Sequence, residues 1–145
     1  LCALDCARMY GAASQVFQHT LEYARTRKQF GKAIGSFQVI QHYLVDMFID
    51  LQQLESMLLM VLVKAESETV SERARATSAA KAYYASQAVR IAQQGIQIHG
   101  GVGVTEELNI GHYFRLITHC SLSHGSRDYH VSRFIDAEAA VGEQV

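Results

Sequence analysis

Proline does not occur among the 145 residues of this chain. Proline in a helix interior removes a backbone donor and clashes with the preceding turn, at about 3 kcal/mol. Without it, long uninterrupted helices are permitted, and glycines and polar turns must punctuate the chain. The glycines gather accordingly, at Gly31 and Gly35 and again at Gly100, Gly101 and Gly103. Between them the apolar residues follow a helical period. A first helix is expected from about Ala3 to Thr26, with Met9, Ala12, Ala13, Val16, Phe17, Leu21 and Ala24 on one side. A second starts near Ser36, a suitable N-cap. Its stripe of Phe37, Ile40, Leu44, Met47, Phe48, Leu51, Leu54, Leu58 and Val61 mostly alternates steps of three and four, the seam of an antiparallel bundle. After a polar turn, Glu66 to Ser71, an alanine-rich third helix runs from about Glu72 to Gln97. A shorter fourth covers about Leu108 to Ile117, and a fifth about Ser126 to Ala140. No alternating strand pattern competes. The expected fold is all-α: one domain over residues 1–145, an up-down bundle of four main helices plus a short extra helix.

Composition narrows the function classes. The formal net charge is −1 and no run of Lys or Arg occurs, so nucleic acid is not an expected partner. The longest apolar tract, Met57 to Val63, is about a third of the ~20 residues that cross a bilayer, so no membrane span is expected. Leu1 to Ala13 carries Asp5 and Arg8 and lacks a basic start, unlike a signal peptide. The chain begins with Leu1 rather than Met, so an upstream segment, targeting or otherwise, is compatible with it. The odd count of three cysteines, Cys2, Cys6 and Cys120, argues against a disulfide framework and for a reducing, cytoplasmic location. Cys2 and Cys6, four apart on a helix, read as small buried or half-buried residues.

Three local patterns could carry chemistry. In Tyr23-Ala24-Arg25-Thr26-Arg27-Lys28-Gln29-Phe30-Gly31, a helix ends in a basic corner. Arg27 can fork onto a phosphate, Gln29 can bond a polar ring or a ribose, Phe30 can cover an aromatic face, and Gly31 allows a tight reversal. The plainer alternative is a helix C-terminus whose cations suit the dipole. Gln38 and Gln41 share a helix face, although alone such amides are usually just solvated. Gln97-Ile98-His99-Gly100-Gly101 places paired glycines after a helix, which permits close backbone approach by a ligand; the alternative is a glycine C-cap. Gly100-Gly101-Val102-Gly103 follows no strand and has no Gly-Lys-Ser/Thr, so it is neither a Rossmann turn nor a P-loop. His112, His119, His124 and His130 lack any Glu-x-x-His companion, so no metal site is expected, and His112 and His119 read as packing or surface residues.

Taken in order, Tyr-Ala-Arg-x-Arg-x-Gln-Phe-Gly-x-x-Ile, Phe-Gln-x-x-Gln, Gln-Ile-His-Gly-Gly-x-Gly, Thr-Glu-Glu and Arg115 resemble the C-terminal helical domain of acyl-CoA dehydrogenases across nearly the whole chain. The resemblance implies a flavin enzyme that desaturates an acyl-CoA thioester between its α and β carbons and passes electrons to an electron-transfer partner protein. It implies that Arg27, Gln29, Phe30 and Gln38 reach the FAD of a neighbouring subunit on its pyrophosphate and adenosine side. Gln97, Gly100 and Gly101 would contact the adenosine part, and Ser126 would stand near the flavin where the family often has Thr. Such shared sites require a homo- or hetero-oligomer, a dimer or tetramer built largely through this domain. The family's upstream helical and β domains are absent from this sequence, so the domain alone is expected to fold but not to catalyse.

The family's base is a carboxylate, commonly within Tyr-Glu-Gly-Thr after the paired-glycine turn. This chain reads Ser123-His124-Gly125-Ser126 there, with His124 in the carboxylate's place. Other members carry the acid near the start of the first helix; the matching Leu1-Cys2-Ala3-Leu4 has no acid until Asp5. Three explanations remain open. His124 is itself the base, since imidazole titrates near neutrality. Alternatively, upstream sequence or a partner chain supplies the carboxylate, as in family members built from two different subunits; with an active partner, this would be a non-catalytic oligomerisation subunit. In the third, the reaction has changed or been lost. An alignment gap would instead bring Asp128 into the pocket. The Leu108 to Arg115 segment with its Gly-x-x-Asp-x-His ending looks most like small-subunit members acting on dicarboxylyl-, aromatic or sterol-side-chain acyl-CoAs.

Overall fold

The computed structural model describes residues 1–67, 69–105 and 108–142, with side chains described as far as residue 139; Glu106 and Glu107 of the Thr-Glu-Glu motif lie outside the described residues. The chain forms helix α1 (Cys2–Thr26), a small hairpin of strands β1 (Lys28–Gln29) and β2 (Lys32–Ala33), a 3-10 turn (Ile34–Ser36), and helices α2 (Gln38–Ala65) and α3 (Val70–His99). A second 3-10 turn (Gly100–Val104) leads to helices α4 (Ile110–Leu122) and α5 (Arg127–Gly142). The fold is all-α, as the spacing predicts.

Helices α1 to α4 run up, down, up, down. Tyr23 of α1 stacks on His99 of α3, and Val16 and Thr20 flank Gly95, so these two helices are parallel. Phe17 meets Phe48 across α1 and α2, while Asp50 meets Arg90 and Lys64 meets Glu72 across α2 and α3, so α2 runs antiparallel to both. Helix α3 is the hub and packs against all four others; α5 lies chiefly on α3. The alanine-rich face of α3 explains this, because small side chains let axes approach. At Gly95 a Cβ would sit only 2.5 Å from Val16 Cγ1.

The core joins Met9, Ala13 and Val16 of α1, Met47, Leu54 and Val61 of α2, Tyr84, Ala88 and Ile91 of α3, and Ile110, Ile117 and Cys120 of α4. Two buried polar groups are paired across helices within it. Tyr84 Oη donates to the Leu54 carbonyl at 2.6 Å, and the Arg90 guanidinium forks onto the buried Asp50 carboxylate, Nε to Oδ2 at 2.7 Å.

Several boundaries differ from the expectation. Ser36 is not the N-cap of the second helix. Its hydroxyl donates back to the Ala33 carbonyl at 2.7 Å inside the 3-10 turn, and α2 begins after Phe37 with no side-chain cap. Helix α3 starts two residues earlier and ends two later than its apolar pattern, and α4 continues five residues past Ile117. The hairpin was not expected, since strands of two residues each carry no readable alternation. Phe48, expected in the seam, is half exposed. It belongs instead to a second, uncovered apolar face of α2 that includes Val45, Ile49, Leu59, Leu62 and Val63.

Candidate functional site

The expected site residues fall at opposite ends of the bundle. The first end gathers the C-termini of α1 and α3 with the N-terminus of α2. There Phe30 and Gly31 both have positive φ, 54° and 81°, the twisted two-residue connection that suits a hairpin. Such a φ is uncommon for a bulky residue, and it presents the Phe30 ring 90% exposed, with only its edge near Phe37. Arg27, Gln29 and Gln38 are exposed beside it. Gln97 is exposed on α3 and lines an open cleft of about 350 Å³ with Tyr43, Gln93 and Gln94. Gly100, at φ 63°, donates its N–H to the last carbonyls of α3. A Cβ built at Gly100 or Gly101 would meet nothing within 4 Å. An aromatic plate, a guanidinium, amides and bare glycine backbone therefore face outward together, and this donor set fits the adenosine and pyrophosphate portion of FAD.

The second end joins the N-terminus of α1 to the α4–α5 turn. His124 stands in the left-handed region at φ 56°, followed by Gly125 at φ 116°. Its Nδ1 lies 2.8 Å from Asp5 Oδ2. Asp5 is 4% exposed in the first turn of α1, while the His124 side chain is 43% exposed. The turn is clamped from behind. Lys81, 0% exposed in the middle of α3, donates its Nζ to the carbonyls of Cys120 at 2.6 Å, Ser121 at 3.1 Å and Gly125 at 3.4 Å. His130 of α5 donates Nε2–H to the His124 carbonyl at 3.1 Å. His124, Cys2, Ala3, Arg73, Thr77 and Arg133 line an open cleft of about 450 Å³.

The remaining expected residues are placed as follows. The exposed Ser126 accepts the Tyr129 N–H at 3.4 Å and so acts at the start of α5. The Asp128 carboxylate is 91% exposed and pairs with Arg127, so the structure does not bring it to His124. His112 and His119 are exposed. Cys2 is half-buried and Cys6 fully buried; burial pushes the Cys6 thiol up to about 12, which keeps it unreactive at neutral pH. Among the described residues no three His, Cys, Asp or Glu side chains gather as metal ligands. Sequence reasoning noted Asp5 but not its partnership with His124, and it missed Lys81. Both lie on the buried stripes of their helices, Asp5 four before Met9 and Lys81 three before Tyr84, and that position was the available signal.

Two buried imidazoles give the fold a pH dependence. Burial holds His130 below its ordinary value, aided by the Lys81 and Arg133 charges and opposed by its bond to the His124 carbonyl. Burial likewise lowers His99, against its bond to the Gly95 carbonyl. Both are held neutral in the folded chain, so the unfolded chain binds more protons as acid is added. Stability is therefore expected to be full above about pH 6.5 and to fall as pH drops below that value towards the lowered folded ones. Urea midpoints measured across this range check the sign; a midpoint that rises on acidification contradicts it.

Residues 3–137 match the family model described as acyl-CoA dehydrogenase, C-terminal domain. The chain belongs to the acyl-CoA dehydrogenase family. Acyl-CoA dehydrogenase IpdE2 of Mycobacterium tuberculosis is 34% identical over 112 residues, which cover 77% of this chain and 33% of the relative. The chain thus spans about a third of the length of that relative. The solved steroid acyl-CoA dehydrogenase Tcur3481–Tcur3483, a glycine-to-alanine variant, superposes with a TM-score of 0.92 at 26% identity, over 98% of this chain and 39% of that one. PigA, solved as an FAD complex, superposes with a TM-score of 0.82 at 26% identity, over 90% and 34%. No helix among the described residues is long and apolar enough to cross a membrane.

Proposed function

We propose that this chain is the C-terminal helical-bundle domain of a flavin-dependent acyl-CoA dehydrogenase, and that its two ends serve two different FAD molecules. The observation that carries this reading is their separation. The Arg27–Phe30 corner and the His124 turn lie at opposite ends of α1, whose 25 residues span roughly 37 Å. A cofactor reacting beside His124 would then take its adenosine contacts from the corner of another subunit. Arg27 would fork onto the pyrophosphate, while Gln29, Gln38 and Gln97 would bond the adenosine and ribose. Phe30 would cover an aromatic face, and Gly100 and Gly101 would let the ligand approach the backbone. FAD, when bound, accepts the β hydrogen of the acyl group with its electron pair. Near its ring Ser126 would offer a hydroxyl, and His124 would take the α proton.

The uncovered apolar face of α2, from Val45 to Val63, supports assembly into a homo- or hetero-oligomer. The likeness to a steroid acyl-CoA dehydrogenase favours a sterol-derived acyl-CoA as substrate, with electrons leaving through a partner protein. Three free thiols suit a reducing, cytoplasmic setting. A second reading, an oligomerisation subunit whose partner supplies the base, is favoured by one observation: position 124 is not a carboxylate.

Replacing Arg27 and Gln29 together by alanine in the full-length protein is expected to weaken FAD binding by about 30-fold or more, the usual consequence of truncating one side of a desolvated charge-assisted contact. Flavin content after gel filtration and the dissociation constant of added FAD check it. Unchanged retention with an intact oligomer would overturn the corner's role.

A further inference from the structure

We propose that Asp5 is a positioning residue for His124, and that the pair forms an acid–base dyad in the acyl pocket. The inference rests on the reading above that His124 takes the α proton.

Three observations converge. The bond joins residues 119 apart in sequence, at 2.8 Å, and its carboxylate is almost wholly buried. The backbone at His124 is in the left-handed region, and Lys81 and His130 hold that turn from behind, so the imidazole is set rather than free to swing. The ring also lines the open cleft instead of filling the core.

With Asp5 accepting the Nδ1–H, the lone pair sits on Nε2. A nucleophile or base oriented by a third group follows the same logic in unrelated enzymes. In the step, the substrate Cα–H bond breaks and an Nε2–H bond forms. The released electron pair becomes the Cα=Cβ double bond as the β hydrogen departs with its own pair to FAD. The imidazolium left behind faces the Asp5 carboxylate. The other ionisable groups around the turn are Cys2 on α1, Arg73 and Lys81 on α3, Cys120 on α4, and His130 and Arg133 on α5.

The test uses the full-length protein with whatever subunits it co-purifies with. The rate of flavin reduction by an acyl-CoA panel is followed anaerobically and expressed per bound flavin. His124→Ala is expected to lower that rate by about 10²–10⁴-fold. Asp5→Asn should lower it by about 10²-fold, because an amide no longer fixes the tautomer that carries the Nδ1–H. Asp5→Glu should restore most of the rate. A purely structural Asp5 would change the amount of folded flavoprotein and leave the rate per bound flavin unmoved.

The failures are distinguishable. Unchanged reduction in His124→Ala, or a flavin that no acyl-CoA reduces, overturns the reading of His124 as proton acceptor and the dyad with it. Loss in His124→Ala with the rate per bound flavin intact in Asp5→Asn overturns only the role of Asp5. Should Asp5→Asn not assemble, ¹⁵N-histidine solid-state NMR of the unaltered protein, assigned with His124→Ala, decides the matter. A neutral His124 protonated at Nδ1 is expected, and one protonated at Nε2 overturns the proposal.

Discussion

Lys81→Met is expected to destabilise the protein by about 3–5 kcal/mol, although methionine matches lysine in length and suits a core. The ammonium is fully buried and its hydrogen-bond partners are backbone carbonyls, two at the end of α4 and one in the turn that follows. The last four carbonyls of any helix lack intrahelical partners and carry the negative end of its dipole. In α4 that end is covered by α3 instead of water, and Lys81 serves as its cap. Methionine would leave the carbonyls buried without a charged donor, at about 1–3 kcal/mol for each one orphaned. Equilibrium urea unfolding of the flavin-free protein measures the loss, and a thermal midpoint lowered by roughly 10 °C should accompany it. The same substitution should loosen the His124 turn. A midpoint equal to the parent's would show that α4 ends without this clamp.

Leu54→Ala is expected to cost about 3 kcal/mol, within the usual range for a buried leucine truncation. Leu54 is fully buried at the middle of α2, inside the cluster where α1, α2 and α3 meet. Its carbonyl also receives the Tyr84 hydroxyl, which ties the two helices at that level and limits how far they can close over a cavity. The half-exposed Phe48 lies on the uncovered face of the same helix, so Phe48→Ala should cost well under half as much in urea while weakening assembly. Equal losses at both positions would contradict the division of α2 into an inner and an outer face.

Much of this architecture was legible before any coordinates. The steps of three and four from Ile40 to Val61 and the alanine run of α3 predict antiparallel helices packed closely, and glycines at 31, 100 and 101 predict where the chain turns. What the spacing could not convey is which of two apolar faces on α2 turns inward. Both Leu54 and Phe48 fit a helical stripe, and the choice depends on where α1 and α3 lie. The Phe30–Gly31 hairpin was hidden for a different reason, since two-residue strands have no period to read. The motifs of the Arg27–Phe30 corner were visible as residues, and the structure adds that they face outward together. The Asp5–His124 contact needed the start of α1 to meet the end of α4, a coincidence no local pattern encodes. Lys81 was readable in principle, as a charge on the buried stripe of Ser78, Tyr84, Ala88 and Ile91.

The most direct test of the central claim is an anaerobic titration of the full-length protein, in the assembly it forms, with a panel of acyl-CoAs that includes sterol-derived ones, while the flavin absorbance is followed. The account predicts that FAD is bound and that at least one acyl-CoA bleaches it stoichiometrically. A preparation that holds no flavin, or a flavin that stays oxidised with every acyl-CoA, would contradict it.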